Sequence, residues 1–62
     1  MTSHKYYSEE ESNKYLEVWD TEEWFVFEAG DVEVDYMTVQ QVRLSRGQAI
    51  DLINHLNYLV NG

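Results

Sequence analysis

The pattern of apolar and polar positions divides the chain into three parts. Residues 1–13 are polar and show no sustained periodicity. From Lys14 onwards apolar and polar residues alternate in short runs, as expected for strands with one buried face. Near the C-terminus the spacing becomes that of an amphipathic helix. The pattern therefore predicts a flexible acidic N-terminal arm, 1–13, and a single β-β-β-α domain, 14–62.

Two strands are predicted at the beginning of this domain, over residues 15–19 and 24–28, both rich in β-branched and aromatic residues. Because successive side chains point to opposite faces, one face gathers Leu16, Val18, Phe25 and Phe27. The other face gathers Tyr15, Glu17, Trp19, Trp24 and Val26. Turns are predicted at residues 20–23 and 29–31, with Gly30 free to take a positive φ.

A third strand is predicted over residues 32–44, although its alternation fails around residues 37–41. One long strand with a bulge near Gln40 and Gln41 accounts for the interruption. The alternative is two short strands with a break near Met37. The short connections favour an antiparallel meander.

A C-terminal helix is predicted over residues 46–60. Ser45 and Gln48 match a capping box, and Asn61-Gly62 is typical of a helix end. The apolar positions between them recur at helical spacing, at Ala49, Leu52, Ile53, Leu56, Leu59 and Val60. The predicted fold class is thus α+β: a three-stranded antiparallel β-meander followed by one C-terminal α-helix packed on the sheet.

A single helix covers only one face of such a sheet. If it covers Leu16, Val18 and the phenylalanines, the rings of Tyr15, Trp19 and Trp24 stay uncovered on the other face. A contiguous aromatic patch on a small protein usually marks an interface. We therefore expect either self-association through that face, giving a homodimer, or a partner that binds there.

Charge narrows the choice of partner. The 62 residues contain twelve acidic side chains and four lysines or arginines, for a net charge of −8. All acids except Asp51 fall between Glu9 and Asp35, where Lys14 is the only cation. Such a local imbalance predicts a negative surface that attracts basic proteins. The same surface repels nucleic acid and anionic membranes, so neither is expected as a direct ligand.

The predicted partner-binding site combines carboxylates, which would pair with lysine and arginine, and two tryptophans, which would supply affinity. Its residues are Glu17, Asp20, Glu22, Glu23, Glu28, Asp31, Glu33, Asp35, Trp19 and Trp24. A sheet and its turns could hold these acids as a dense array comparable to the phosphates of DNA. The alternative is that the acids only keep an aromatic-rich protein soluble.

No catalytic, cofactor or metal site is predicted, and we expect that the protein is not an enzyme. Cysteine is absent, and the only histidines, His4 and His55, suit ordinary surface positions. Residues 31–35 place a carboxylate at every second position, as at the beginning of a calcium loop. However, Tyr36 stands where that loop needs glycine, and Val42 where it needs glutamate.

The expected location is the cytoplasm, because the first dozen residues lack the apolar segment of a secretory signal. In size, acidity and lack of cysteine the chain resembles small inhibitors that bacteriophages encode against host nucleic-acid-handling proteins. Anti-restriction, anti-CRISPR and uracil-DNA glycosylase inhibitor proteins are examples. The resemblance is one of composition and transfers no functional residue. It implies a non-catalytic inhibitor or DNA mimic that acts in the cytoplasm of a host cell.

Two other functions stay open on the sequence. One is a structural or regulatory homodimer whose acidity is only solubilising. The other is an antitoxin-like accessory subunit, in which the 1–13 arm folds on the partner.

Overall fold

The computed structural model describes residues 2–33 and 39–62. It contains the strands β1 (His4–Tyr7), β2 (Lys14–Asp20), β3 (Phe25–Asp31) and β4 (Gln40–Leu44), followed by the helix α1 (Arg46–Asn61). The strands form one antiparallel sheet in the order β1-β2-β3-β4. The predicted α+β class, with an antiparallel sheet and one C-terminal helix, is therefore confirmed.

The predicted number of strands is wrong, because the sheet has four strands and not three. The additional strand, β1, lies within the range 1–13 that was assigned to an arm outside the domain. It pairs with β2 from His4↔Val18 to Tyr7↔Tyr15. Tyrosine suits a strand, but four residues are too few for alternation to show. Pairing with β2 is what makes this segment extended.

The predicted turn at residues 29–31 is also wrong, because β3 continues to Asp31. Gly30 does not have a positive φ. It lies opposite Tyr15 in the sheet, and a Cβ atom at this position would come within 2.6 Å of the Tyr15 hydroxyl. Glycine at position 30 therefore leaves room for the Tyr15 ring. Close approach of another group is, besides conformational freedom, a reason for glycine inside a strand.

The third predicted strand is shorter than expected. Residues 32 and 33 form a turn, and β4 begins at Gln40. The pairing of β3 with β4 runs without interruption from Phe25↔Leu44 to Ala29↔Gln40, so this pair has no bulge at residues 40–41. The middle of the predicted strand, residues 34–38, and the alternative break at Met37 lie outside the described residues.

The helix agrees with the prediction to within one residue at its end. The Gln48 backbone N–H donates to the Ser45 hydroxyl over 3.2 Å, and the Ser45 N–H donates to the Gln48 side chain over 3.0 Å. These two bonds are the predicted capping box. At the other end the Gly62 N–H donates to the Tyr58 carbonyl, as is typical of a helix terminus.

The strand register assigns side chains to two faces. The helix-side face, which α1 approaches, carries Leu16, Val18, Phe25, Phe27, Val42 and Leu44. The far face carries Tyr15, Glu17, Trp19, Val26, Glu28 and Arg43. This division confirms the faces that alternation predicted for β2 and β3.

The core is small. Among residues 2–33 and 39–62, only Val26 and Ala49 are buried, and Val26 lies on the far face. The apolar stripe of α1 is covered at Ala49 but largely exposed beyond it, at Ile53, Leu56, Leu59 and Val60. The helix therefore approaches the sheet with its first turns and leaves much of its apolar side free.

Candidate functional site

The predicted carboxylates do not form one array. Asp31 and Glu33 lie at the end of the sheet where β3 finishes, whereas Asp20, Glu22 and Glu23 lie at the opposite end, where β2 finishes. β2 has seven residues, so these ends are roughly 20 Å apart. Two further predicted carboxylates, Glu17 and Glu28, face each other across β2 and β3 on the far face. The predicted contribution of Asp35 lies outside the described residues.

The acidic end is the name used here for Glu9, Glu10, Glu11, Asp31 and Glu33. The β1–β2 connection brings the first three acids to the end of β3. The connection is closed by Ser8, whose N–H donates to the Lys14 carbonyl, and by Lys14, whose N–H donates to the Glu11 carbonyl. The sequence interpretation missed Glu9–Glu11 as site residues because it placed them in an arm. The sequence feature that could have identified them is a polar run between two tyrosine-containing segments, which is typical of a connection between strands.

Asp31 fixes the acidic end to β3. Its carboxylate accepts hydrogen bonds from the Asn13 side-chain amide over 2.7 Å and from the Glu33 backbone N–H over 2.9 Å. These two donors, Asn13 first, lower the pKa of Asp31, because they stabilise the charged form. The Val32 N–H also donates to the Asn13 carbonyl. Asp31 therefore holds together the β1–β2 connection and the end of β3.

Lys14 offsets part of this negative charge. Its ammonium group lies 2.7 Å from Glu11, and the hydrogen bond to that carboxylate raises the pKa of Lys14. This ion pair is the only one in the part of the chain that the structure describes. Both side chains are about half exposed, so solvent weakens their attraction.

On the far face the carboxylate of Glu28 has hydrogen-bond partners within the chain. Glu28 accepts a hydrogen bond from the Tyr15 hydroxyl over 3.0 Å and another from the Gln41 amide over 2.8 Å. Partial burial, followed by the bond to Glu28, raises the pKa of Tyr15. Lys5 lies opposite Glu17 in the register, with its ammonium 4.5 Å from the centre of the Tyr15 ring. Glu28 is thus used by the fold and is less available to a partner.

The Trp24 turn, residues 20–24, brings together four of the predicted site residues: Asp20, Glu22, Glu23 and Trp24. Thr21 holds it, since its hydroxyl accepts from the Glu23 and Trp24 backbone N–H groups and its own N–H donates to the Trp24 carbonyl. Trp24 is 42% exposed, and the three carboxylates are exposed. Within residues 2–33 and 39–62 none of them has a cation partner. Trp19, by contrast, is half-buried opposite Val26.

An apolar cavity of about 380 Å³ opens between the helix-side face and α1. The sheet contributes Val18, Phe25 and Phe27, and the helix contributes Arg46, Ala49, Ile50, Leu52, Ile53 and Leu56. The lining is almost entirely hydrocarbon, with Arg46 as its one charged side chain. Such a surface can bind another apolar surface but offers few groups for a polar ligand.

Metal-binding geometry is not seen among the described residues. No three side chains from His, Cys, Asp or Glu lie close enough in them to hold a metal ion. His4 is on β1, where its ring lies 4.3 Å from that of Tyr6 between centres. No helix in residues 2–33 and 39–62 combines the length and apolar character that a membrane crossing requires.

The chain matches no protein-family model, no curated protein and no solved structure.

Proposed function

We propose that this chain is a small, non-catalytic binding protein that blocks a basic protein partner through the Trp24 turn. The partner we propose is a protein that handles nucleic acid in the cytoplasm of a host cell. The observation that carries the proposal is an exposed indole ring on a turn whose backbone is held by Thr21 and which also carries three exposed carboxylates.

The physical argument concerns both parts of the turn. Tryptophan is among the residues that contribute most to binding at protein interfaces, because its large ring is desolvated at little entropic cost. The order that Thr21 imposes on the Trp24 backbone lowers that cost further. Carboxylates around the ring accelerate association with a positively charged surface and favour such a surface over neutral ones.

The acidic end lies roughly 20 Å from the Trp24 turn and adds a weaker, long-range attraction. Glu9, Glu10 and Glu33 contribute three of the negative charges within the net charge of −8. The electric field of these charges falls off over about 8 Å at physiological salt. Binding through the Trp24 turn is therefore expected to weaken as salt concentration rises. The same charge makes phosphate-bearing ligands unfavourable, so we propose a protein partner and not a nucleic acid.

The test is capture of proteins from a lysate of the native host at about 50 mM and about 500 mM salt, with mass spectrometry of what is retained. The captured protein is then used in calorimetric titrations with variants. Trp24→Ala should weaken binding roughly 30-fold or more, as for a hot-spot residue. The double variant E22K/E23K should weaken it more strongly at low salt than at high salt.

The matched control is E9K/E10K, which makes the same change of charge at the opposite end of the sheet. If the Trp24 turn is the contact, this variant alters affinity only through the long-range field and loses much less than E22K/E23K. Equal losses for the two double variants, or unchanged binding by Trp24→Ala, would contradict the proposed site. Capture of no basic protein at low salt would contradict the proposed function.

A further inference from the structure

The helix-side face and the apolar stripe of α1 form one continuous apolar surface, called here the open surface. Its exposed members are large: Ile53 is 63% exposed and Leu59 60% exposed on the helix, and Val42 is 57% exposed on the sheet. Residues of this kind normally lie in a core when they recur at helical or strand spacing. In this chain the pattern is present but nothing in residues 2–33 and 39–62 covers it.

The chain as a whole exposes more area than a compact monomer would. The chain exposes 5348 Å², whereas a compact monomer of 7.4 kDa would expose about 4,200 Å². The excess, about 1,100 Å², exceeds the ~800 Å² that each partner buries in a standard protein complex. The radius of gyration agrees, since it is 13.0 Å against about 10.5 Å for a compact domain of this length.

Most of the acids are placed away from the open surface, although Asp20 at the end of β2 lies opposite Phe25 on the helix-side face. The described carboxylates lie at the two ends of the sheet, on the far face or on the polar side of α1. On β2 and β3 the central helix-side pairs, Leu16 with Ala29 and Val18 with Phe27, are apolar. Two chains of net charge −8 repel one another. Contact through the open surface leaves most of those charges outside the interface, with Asp20 at its edge.

Each chain also carries both halves of a complementary contact. The cavity between Phe27 and Ala49 is concave, and the stripe of α1 continues beyond its lining with Leu59 and Val60, which are exposed. A two-fold axis places the stripe of one chain in the cavity of the other and the reverse, so both are covered at once. A different partner would need to supply its own ridge and its own groove.

We propose that the open surface is a homodimer interface, in which the helix α1 of each chain lies in the cavity of the other. This inference does not depend on the proposed function. If both hold, the dimer presents the Trp24 turn twice, and two turns can increase the avidity for a partner with two basic sites.

The test compares two glutamate substitutions at adjacent helix positions by sedimentation equilibrium, from about 1 to about 100 μM. The wild type should have twice the 7.4 kDa mass of one chain. Ile53→Glu places a charge in the interface and should weaken dimerisation roughly 100-fold or more. The matched control, Asn54→Glu, adds the same charge on the polar side of α1 and should remain a dimer. A wild type with the mass of one chain at about 100 μM would overturn the proposal. So would an Ile53→Glu variant as dimeric as the control.

A second measurement decides the case in which Ile53→Glu does not fold. The urea midpoint of a dimer rises with protein concentration, whereas that of a monomer does not. We expect a rise for the wild type over the same concentration range. A milder variant, Leu59→Ala, should keep its helical circular dichroism and dimerise roughly 10-fold less tightly. A midpoint independent of concentration would show that one chain folds alone and would overturn the proposal.

Discussion

The two faces of the sheet differ in how far one chain completes them. On the far face Val26 is 3% exposed and the carboxylate of Glu28 is satisfied by two side-chain donors. On the helix-side face Val42, in the neighbouring strand, is 57% exposed. The centre of the far face is therefore covered within the chain, although Tyr7 at its edge is 55% exposed. The helix-side face has the composition of a core without the burial of one. A face of this kind is a better candidate for assembly than one that carries isolated aromatic rings.

This comparison changes the expectation that came from the sequence. The patch of Tyr15, Trp19 and Trp24 was predicted to be the uncovered one. In the structure Tyr15 and Trp19 are half-buried, and only Trp24 is clearly exposed. The larger uncovered apolar area lies on the helix side, where coverage by α1 had been expected. Partner binding and self-association can therefore use different surfaces.

The largest expected effect comes from making the same substitution on both faces. Val26→Ala should destabilise the fold by about 2 kcal/mol, because two buried methyl groups are lost and a cavity remains. Val42→Ala should cost less than about 0.5 kcal/mol in a dilute sample, where the side chain is exposed. Urea denaturation of both variants at low concentration measures the difference. Equal losses would mean that both valines are covered within one chain.

Raising the protein concentration sharpens this test. If a second copy covers the helix-side face, the cost of Val42→Ala should grow as the dimer forms, whereas the cost of Val26→Ala should stay the same. If the cost of both substitutions is independent of protein concentration, the two faces differ in burial, but a second copy does not cover the helix-side face.

A slightly smaller effect is expected from Gly30→Ala, which disturbs the far face alone. The new Cβ would displace the Tyr15 ring and break its bond to Glu28, at a cost of about 1–2 kcal/mol. The control is Gly47→Ala in α1, where an added Cβ meets no atom within 4 Å. Helix propensity should make that variant more stable by about 0.5–1 kcal/mol. Thermal denaturation of the two variants should therefore shift in opposite directions.

Next comes Ser45→Ala, which acts on the helix side. It removes the hydroxyl that caps α1 and should destabilise the helix by about 1 kcal/mol. Because α1 forms much of the open surface, dimerisation should weaken as well. Circular dichroism and sedimentation measure the two effects. Ser45→Asp, which can cap equally well, should restore both; loss of dimerisation in this variant would point to a direct contact by Ser45.

The smallest effect should appear at the acidic end, which belongs to neither face. The pKa of Asp31 is lowered by folding, so its contribution is present above the unfolded pKa of about 3.9 and is lost as pH falls through the lower folded value. Asp31→Asn should make stability less dependent on pH below about pH 4. Urea midpoints across that range measure it. Glu33→Gln removes the same charge nearby and should keep the wild-type dependence; an equal change in both variants would contradict the role of Asp31.

The sequence revealed most of the fold where periodicity extends over many residues. The helix was predictable because a capping box at Ser45 precedes several turns of apolar spacing. The faces of β2 and β3 followed from strict alternation. β1 was missed since four residues carry no period, and the turn at Gly30 was inferred from conformational freedom when the cause was the adjacent Tyr15 ring. Both errors arise from contacts between residues distant in the chain.

The candidate site was predictable only in part for the same reason. The Trp24 turn is contiguous in sequence, so its acids and its indole could be grouped without knowing the fold. The separation of Glu22 from Asp31 by the length of β2, and the use of Glu28 by Tyr15 and Gln41, depend on register. Alternation gives the face of a side chain but not its neighbour on the next strand.

The order β1-β2-β3-β4 has a kinetic consequence. Every pair of adjacent strands is also consecutive along the chain, so each hairpin closes by a short search and no distant segments have to meet first. Topologies with such local pairing have low contact order and fold quickly for β-containing proteins. A nascent chain would thus acquire its sheet before it encounters a second copy, and assembly would be the slower, concentration-limited step.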